Sequence, residues 1–242
     1  MSSTEVSIEK LPKALAVVVP AFNAGSLVAE VIKRLEPYVQ TICLVDDGST
    51  DNCVYGLEST VTQILTLPEN NGKGFALLKG YAHLLEDETI TCIALLDADG
   101  QHDVKELPRL YEIFLEENAD FLIGARDFDM GYVPLRSRIG NKTTKVISGL
   151  LLGRHLPDTQ SGYRLISRNF LEKELDNIPG GRYETEMHMI AIAIRGEYTL
   201  ASSPIRTIYE TGNHSSHFNV IRDSFLIYRK LFGLCISRFL GK

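Results

Sequence analysis

Short, wholly apolar runs alternate along the first half of the chain with segments whose apolar residues recur every three or four positions. The runs ALAVVVP (14–20), TICLVDD (41–47), VTQILTLP (61–68), TCIALLD (91–97) and ADFLIGAR (119–126) predict five strands. Runs of this kind, apolar on both alternating sides, suit strands covered on both faces. Between them, SLVAEVIKRLEPY (26–38), GKGFALLKGYAHLLED (72–87) and DVKELPRLYEIFLEEN (103–118) carry helical spacing. Pro20 is expected to end the first strand, and Ser26 to cap the first of these helices. A further short helix is expected after GSTD (48–51), started by Ser49 or Asp51.

Strands alternating with helices at this interval predict right-handed βαβ units and a mostly parallel sheet. The second half is less regular. PLRSRIGNKTTKVISGLLLG (134–153) reads as a basic amphipathic helix and LPDTQSGYRLISR (156–168) as a loop entering a strand. TEMHMIAIAIR (185–195) reads as a helix, EYTLASSPIRTIYE (197–210) as one or two strands, and 219–242 as a long amphipathic helix. The expected organisation is an extension over 1–13, one domain over 14–218 and the terminal helix over 219–242. The domain is expected to divide into two halves, 14–126 and 127–218.

Ligands of such sheets lie at the carboxyl ends of the strands. The polar clusters there are PAFN, DDGSTD, PENNGKG, DADGQHD and GARD. In DADGQHD, three acids stand within seven residues. A helix cap accounts for one of them, Asp103. Asp97 and Asp99 then point to a cation, since a metal carried by phosphates needs only one or two protein oxygens, and Gln101 adds a neutral one. Asp46 and Asp47 end the second strand, where a carboxylate accepts hydrogen bonds from a ribose or a base. PENNGKG lacks the spacing of a P-loop. Its glycines and Lys73 fit either a phosphate contact or a plain tight turn.

Composition narrows the classes. The 242 residues are 44% hydrophobic and 23% charged, ordinary values for a globular protein, and the net charge of −6 argues against a general nucleic-acid binder. The four cysteines show no ligand spacing, and Cys43 and Cys92 lie in apolar runs, as buried free thiols do. The start MSSTEVSIEKLPK has no signal-like apolar core, and no run reaches 18 apolar residues. The expected location is cytoplasmic, with the tail as a candidate for peripheral contact at the cytoplasmic membrane face.

Taken in order, VVVPAFNAG, LVDDGSTD, NNGKGFAL, LLDADGQHD, GAR and DTQSGYRLISR resemble the family 2 glycosyltransferases, in particular the polyprenyl-phosphate mannosyl- and glucosyltransferases. The resemblance spans about residues 14 to 210. It implies a GT-A fold, a single Rossmann-like, mostly parallel α/β sheet flanked by helices. It also implies Mg²⁺ or Mn²⁺, a nucleotide-diphosphate sugar such as GDP-mannose or UDP-glucose, and inversion at the anomeric carbon. Carried over by position, Pro20, Phe22 and Asn23 line the nucleoside pocket and Asp46 or Asp47 meets base or ribose. Asp97 faces the ribose and diphosphate, while Asp99 and Gln101 hold the metal. Phe22 stands where a tyrosine is frequent, and Ala24 where the family often has an acid.

The resemblance also places basic residues on an acceptor phosphate, here Arg126, Arg138 and Lys142, with Arg136 and Lys145 nearby. Arg164 either pins a loop or meets a phosphate. Arg206 and Ser216 are candidate phosphate contacts, and His214 and His217 suit loop organisation. His102 lies beside the metal pair, whereas His83, His155 and His188 read as ordinary surface positions. Asp158 is a candidate base, a positioner of the acceptor, or structural. Glu186 either binds sugar hydroxyls or favours a helix start. The basic amphipathic tail suits a membrane surface, a partner subunit or the core.

The function expected is metal-dependent transfer of a hexose to polyprenyl phosphate. A glycan or protein hydroxyl as acceptor is the alternative within the class, and a base role for Asp158 would favour it. A nucleotidyltransferase is disfavoured by the poor match of PAFNAG to a glycine-rich phosphate loop. A nucleotide-sugar sensor without catalysis is the remaining class.

Overall fold

The computed structural model of the protein describes residues 10–126, 158, 161–182, 184–206 and 208. Seven strands are β1 (Leu15–Ala21), β2 (Ile42–Asp46), β3 (Thr62–Thr66), β4 (Cys92–Leu95), β5 (Phe121–Arg126), β6 (Arg164–Ser167) and β7 (Leu200–Ile205). The helices are α1 (Leu27–Leu35), α2 (Lys73–Leu84), α3 (Leu107–Glu116), α4 (Arg168–Glu174) and α5 (Glu184–Arg195).

The strands form one sheet in the order β3-β2-β1-β4-β6-β5-β7. All neighbours are parallel except β6, which runs antiparallel to both β4 and β5. The order steps outward from β1 to β3, then restarts with β4 on the other flank of β1. That reversal opens a crevice between the carboxyl ends of β1 and β4, where α/β sheets take their ligands.

Alternation along the strands divides the core into two layers. Val17, Val19, Leu44, Ala94 and Leu122 face α1 and α3, packing with Val28, Ile32, Leu110 and Phe114. Val18, Val45, Ile93, Leu95 and Phe121 face the other way, toward Leu77, Tyr81, Phe170 and Ile190 of α2, α4 and α5. Both faces are therefore covered, the condition that makes these strands continuous apolar runs in the sequence. Helix α2 approaches β1 and β2 closely at Gly80, where a Cβ would lie 2.5 Å from Val18 Cγ2 and 2.9 Å from Val45 Cγ2.

The five expected strands of the first half are all present, as is the mostly parallel sheet, and local details differ. The first strand runs through Pro20 to Ala21. Ser26 makes no side-chain capping bond to α1. No helix follows GSTD; residues 53–56 make only turns, because Asn52 and Gly56 take left-handed φ values of 56° and 74° that interrupt a helix. Asp103 does cap, accepting from Lys105 N at 3.0 Å, but it starts a 3-10 turn (Val104–Glu106) that then leads into α3. Helix α4 was not foreseen. Ser167 starts it by accepting from Phe170 N, and Phe170 and Leu171 bury its inner face. The basic stretch 134–153 and the tail 219–242 lie outside the described residues, with Arg138, Lys142, Ser216, His214 and His217.

Candidate active site

The loops after β1 and β2 are tied to one another by side chains accepting from backbone amides. Asn23 stands at φ 47°, which aims its carboxamide oxygen at Thr50 N (2.8 Å), while its own N–H donates to Ser49 Oγ (3.0 Å). Asp46 Oδ1 accepts from Ser49 N at 2.9 Å, and Asp51 Oδ2 from Gly25 N at 3.0 Å. Ser49 and Asp51 therefore organise the loop pair and cap no helix.

Asp47 is 2% exposed, and its two oxygens accept from Asn71 N (2.9 Å) and Gly72 N (2.8 Å). Its carboxylate holds the PENNGKG loop. Among the described residues Asp46 is engaged through one oxygen, Oδ1.

Beyond β4 the chain turns through Asp97, Ala98 and Asp99. Lys73, the first residue of α2, places Nζ 2.7 Å from Asp97 Oδ1 and 3.1 Å from Glu186 Oε2 in the first turn of α5. His102 Nε2 lies 3.6 Å from Asp97 Oδ2. Lys73 was expected, if functional, to meet a phosphate; here its ammonium lies between two acids. Gly162 backs the same carboxylate so closely that a Cβ would collide with Asp97 Oδ2.

Charge is distributed unequally over the acidic pair. Burial opposes ionisation of Asp97, but Lys73 and His102 outweigh it and hold the carboxyl below the usual carboxylate range. Burial and the negative Asp97 push Asp99 up. Asp99 Oδ1 accepts from Gln101 N at 3.0 Å, so Gln101 shapes the turn through its backbone. Burial likewise opposes the charge on Lys73, and Asp97 and Glu186 reverse the effect and raise its pKa.

Arg164 is 1% exposed and opens β6 beside the end of β4, in register with Leu95. Its Nε donates to Ser161 O (2.8 Å) and its Nη1 to Glu186 O (2.9 Å), and its Nη2 lies 3.6 Å from Glu186 Oε1. It ties the turn before β6 to α5. At the end of β5, Arg126 forks onto the fully buried Asp158, Nε to Oδ2 at 2.7 Å and Nη2 to Oδ1 at 3.2 Å. Arg206 follows β7 at an exposed position. Ile208 N donates to Gln101 O at 2.9 Å, bringing this strand exit against the acidic loop.

Four residues escaped the sequence reading. Tyr81, hidden within the helical pattern of α2, has a buried hydroxyl without a hydrogen-bond partner among the described residues, in the field of Glu186, Arg164, Lys73 and Asp97. Gly162 and Ser161 set the turn behind Asp97; the adjacent SG was quoted only as part of a motif. His188, read as a surface position, is 8% exposed on α5.

The residues fit a divalent cation carried by a diphosphate. Among the described residues no group of three or more His, Cys, Asp or Glu side chains forms a cage. A phosphate-borne cation requires only one or two protein oxygens, and one on Asp99 would relieve the repulsion between the two acids.

Residues 16–175 match the profile of Glycosyl transferase family 2. The UDP-N-acetylglucosamine–dolichyl-phosphate N-acetylglucosaminyltransferase of Methanococcus voltae is 26% identical over 243 residues, 90% of this chain and 95% of its own. The polyprenol monophosphomannose synthase of Mycolicibacterium smegmatis is 29% identical, over 78% of this chain and 75% of its own. Among solved structures, glucosyl-3-phosphoglycerate synthase from Mycobacterium tuberculosis, in complex with Mn²⁺, uridine-diphosphate and phosphoglyceric acid, superposes with a TM-score of 0.68. That match has 19% identity and covers 93% of this chain and 78% of the other, and it shows a shared GT-A fold.

Proposed function

The chain belongs to glycosyl transferase family 2, and on that premise we propose that it moves a hexose from a nucleotide-diphosphate sugar to polyprenyl phosphate with inversion. The observation that carries this reading is the division of charge along one sheet edge. Acids follow β2 and β4, and arginines stand at the ends of β5 and β7. The relatives from Methanococcus voltae and Mycolicibacterium smegmatis, whose names specify dolichyl phosphate and polyprenol phosphate, support the acceptor class.

In this reading the nucleoside lies against Pro20, Phe22, Asn23 and Asp46, at the crevice opened by the strand reversal. Asp97, kept anionic by Lys73, faces the ribose and diphosphate side, and Glu186 approaches the sugar hydroxyls. Asp99, with Gln101 beside it, would hold Mg²⁺ or Mn²⁺, which supplies Lewis-acid stabilisation of the leaving diphosphate. The Mn²⁺ and uridine-diphosphate held by the Mycobacterium tuberculosis enzyme support that choice of cofactor. Arg126 and Arg206 hold the acceptor phosphate, together with Arg138 and Lys142. Among the described residues no helix is long and apolar enough to cross a membrane. In this reading the lipid is met at the membrane face or through a small membrane subunit.

The test is transfer of label from GDP-mannose, UDP-glucose and UDP-N-acetylglucosamine, with Mn²⁺, to a short polyprenyl phosphate. Label entering the organic phase names the donor and supports the acceptor. Donor hydrolysis without lipid product moves the reading to a hydroxyl acceptor, and no turnover of any donor sinks it.

A further inference from the structure

We propose that Lys73 is a positioning residue that ties Asp97, on the nucleotide side of the site, to Glu186, on the sugar side, so that the two parts of a donor are recognised together. This rests on the function proposed above and deepens it by naming the group that joins the two halves of the donor site. Lys73 Nζ lies 2.7 Å from Asp97 Oδ1 and 3.1 Å from Glu186 Oε2, and none of the three side chains is more than 24% exposed. An ammonium carries several N–H donors and no acceptor, so one lysine can serve two carboxylates at once.

The fold brings the lysine there by joining the starts of two helices. Asp47 accepts from Asn71 N and Gly72 N, which anchors the loop that opens α2 to the end of β2. Phe75 N, in the first turn of α2, donates to Gly181 O at 3.1 Å in the turn that leads to α5. Gly74 packs so tightly on Thr185 that a Cβ would collide with its side chain, and a Cβ on Gly72 would lie 2.8 Å from Gly181 O. Lys73 stands between those two glycines. Its backbone is thereby held against the helix that carries Glu186.

Around the lysine the charges are equal in number. Arg164, 1% exposed, donates from Nη1 to Glu186 O and sets Nη2 3.6 Å from Glu186 Oε1. Two cations and two acids therefore share one cluster. Tyr81 lies about two turns along α2 from Lys73, and helical side chains lean toward the N-terminus. Its hydroxyl is buried in the field of the same four groups. Without the lysine, two neighbouring carboxylates repel one another and share a single arginine. Coupling through a shared partner is reciprocal. A sugar that engages Glu186 steadies the lysine, and with it Asp97; a nucleotide that engages Asp97 sets Glu186 for the sugar.

Calorimetric titration of the full chain with Mn²⁺ tests this through a double-mutant cycle. The probes are UDP with UDP-N-acetylglucosamine, UDP with UDP-glucose, and GDP with GDP-mannose. The pair whose sugar form the parent binds most tightly is carried through the variants. Lys73→Met should weaken the nucleoside diphosphate roughly tenfold or more, because two buried acids are left uncompensated. In that background Glu186→Gln should restore about fivefold or more, whereas in the parent it should shift nucleoside-diphosphate binding by less than about twofold. The advantage of the nucleotide sugar over the bare nucleoside diphosphate should fall about fivefold or more in Lys73→Met.

Effects that add within about twofold would overturn the proposal, since they mark a lysine that meets the nucleotide independently of Glu186. Unchanged diphosphate binding in Lys73→Met, or a sugar advantage equal to that of the parent, would do the same. A lysine needed only for folding would lower the urea midpoint and leave the cycle additive. If circular dichroism shows that Lys73→Met is not folded, Lys73→Gln takes its place in the same cycle and is read in the same way. Non-additive binding without sugar transfer would sink the proposed reaction and leave the coupling standing. Transfer to polyprenyl phosphate by a chain whose variants are additive would do the reverse, and a parent that binds neither UDP nor GDP would overturn both.

Discussion

The two flanks of the sheet hold their charged side chains by opposite means. On the β2-β1-β4 flank, acids are held by backbone amides: Asp46 by Ser49 N, Asp47 by Asn71 N and Gly72 N, Asp99 by Gln101 N. On the β6-β5 flank, arginines are held by acids and carbonyls: Arg126 by Asp158, Arg164 by Ser161 O and Glu186 O. The strand directions explain much of this difference. Parallel strands deliver carboxyl ends followed by turns rich in N–H groups, whereas antiparallel β6 brings an amino end to the same edge. The turn before β6 offers carbonyls, which a guanidinium satisfies. Lys73 and Glu186 are the bridge, since the lysine pairs at once with Asp97 on one flank and with the glutamate beside Arg164 on the other.

The largest expected break of this contrast is chemical. Asp99→Ala should lower labelled sugar transfer at least about a thousandfold, a loss on the scale of a removed transition-state stabiliser. Assay with saturating Mn²⁺ checks it, and equal activity in variant and parent would sink the metal assignment. Next in size, Arg164→Met should destabilise the fold by about 3–5 kcal/mol in urea unfolding, because it leaves the Glu186 carboxylate buried with one partner fewer. A loss below about 1 kcal/mol would mean that the guanidinium is dispensable for packing.

Gly162→Ala sharpens the contrast at the boundary between the flanks. The added methyl displaces the Asp97 carboxylate, and a misplaced group of this kind costs roughly a hundredfold in rate. Comparing kcat with the donor KM shows whether the displacement acts in binding or in the chemical step. Asp103→Ala, behind the acidic pair, should cost only about 1 kcal/mol of stability and leave transfer intact.

The smallest effect concerns thiols far from the site. Burial pushes Cys43 up to about 12 and raises Cys92 well above the usual value, so neither should react with iodoacetamide at pH 8 while the chain is folded. Peptide mapping of the labelled protein checks this. The sign follows for stability: the contribution from keeping Cys43 neutral is complete below its ordinary value of 9.0 and declines as the pH rises from there toward about 12.

The parallel flank was the more legible in sequence because its information is local. A strand buried on both faces is an apolar run, and a run ending in DADGQHD announces both a ligand end and a helix start within seven residues. The antiparallel flank depends on pairings distant in the chain. Nothing within RLIS specifies that it inserts between β4 and β5, a placement fixed by Leu95 opposite Arg164 and Phe121 opposite Ile166. The same limit applied to the site. Arg126 and Asp158 were both singled out, yet 32 residues separate them, and their pairing changes what each can do. Asp46 and Asp47 were read as one pair because they are neighbours, but successive positions at the end of a strand diverge, and only Asp47 turns toward the glycine loop.

That carboxylate has a consequence for engineering. With Asp47 bonded to two consecutive amides of the loop before α2, loop and aspartate form one transplantable part. A chimera that replaces residues 68–72 with a segment of different length, while keeping Asp47, leaves a buried anion without its donors. A chimera that carries both transfers a self-contained unit, and the adjoining Lys73 makes the start of α2 its natural joint.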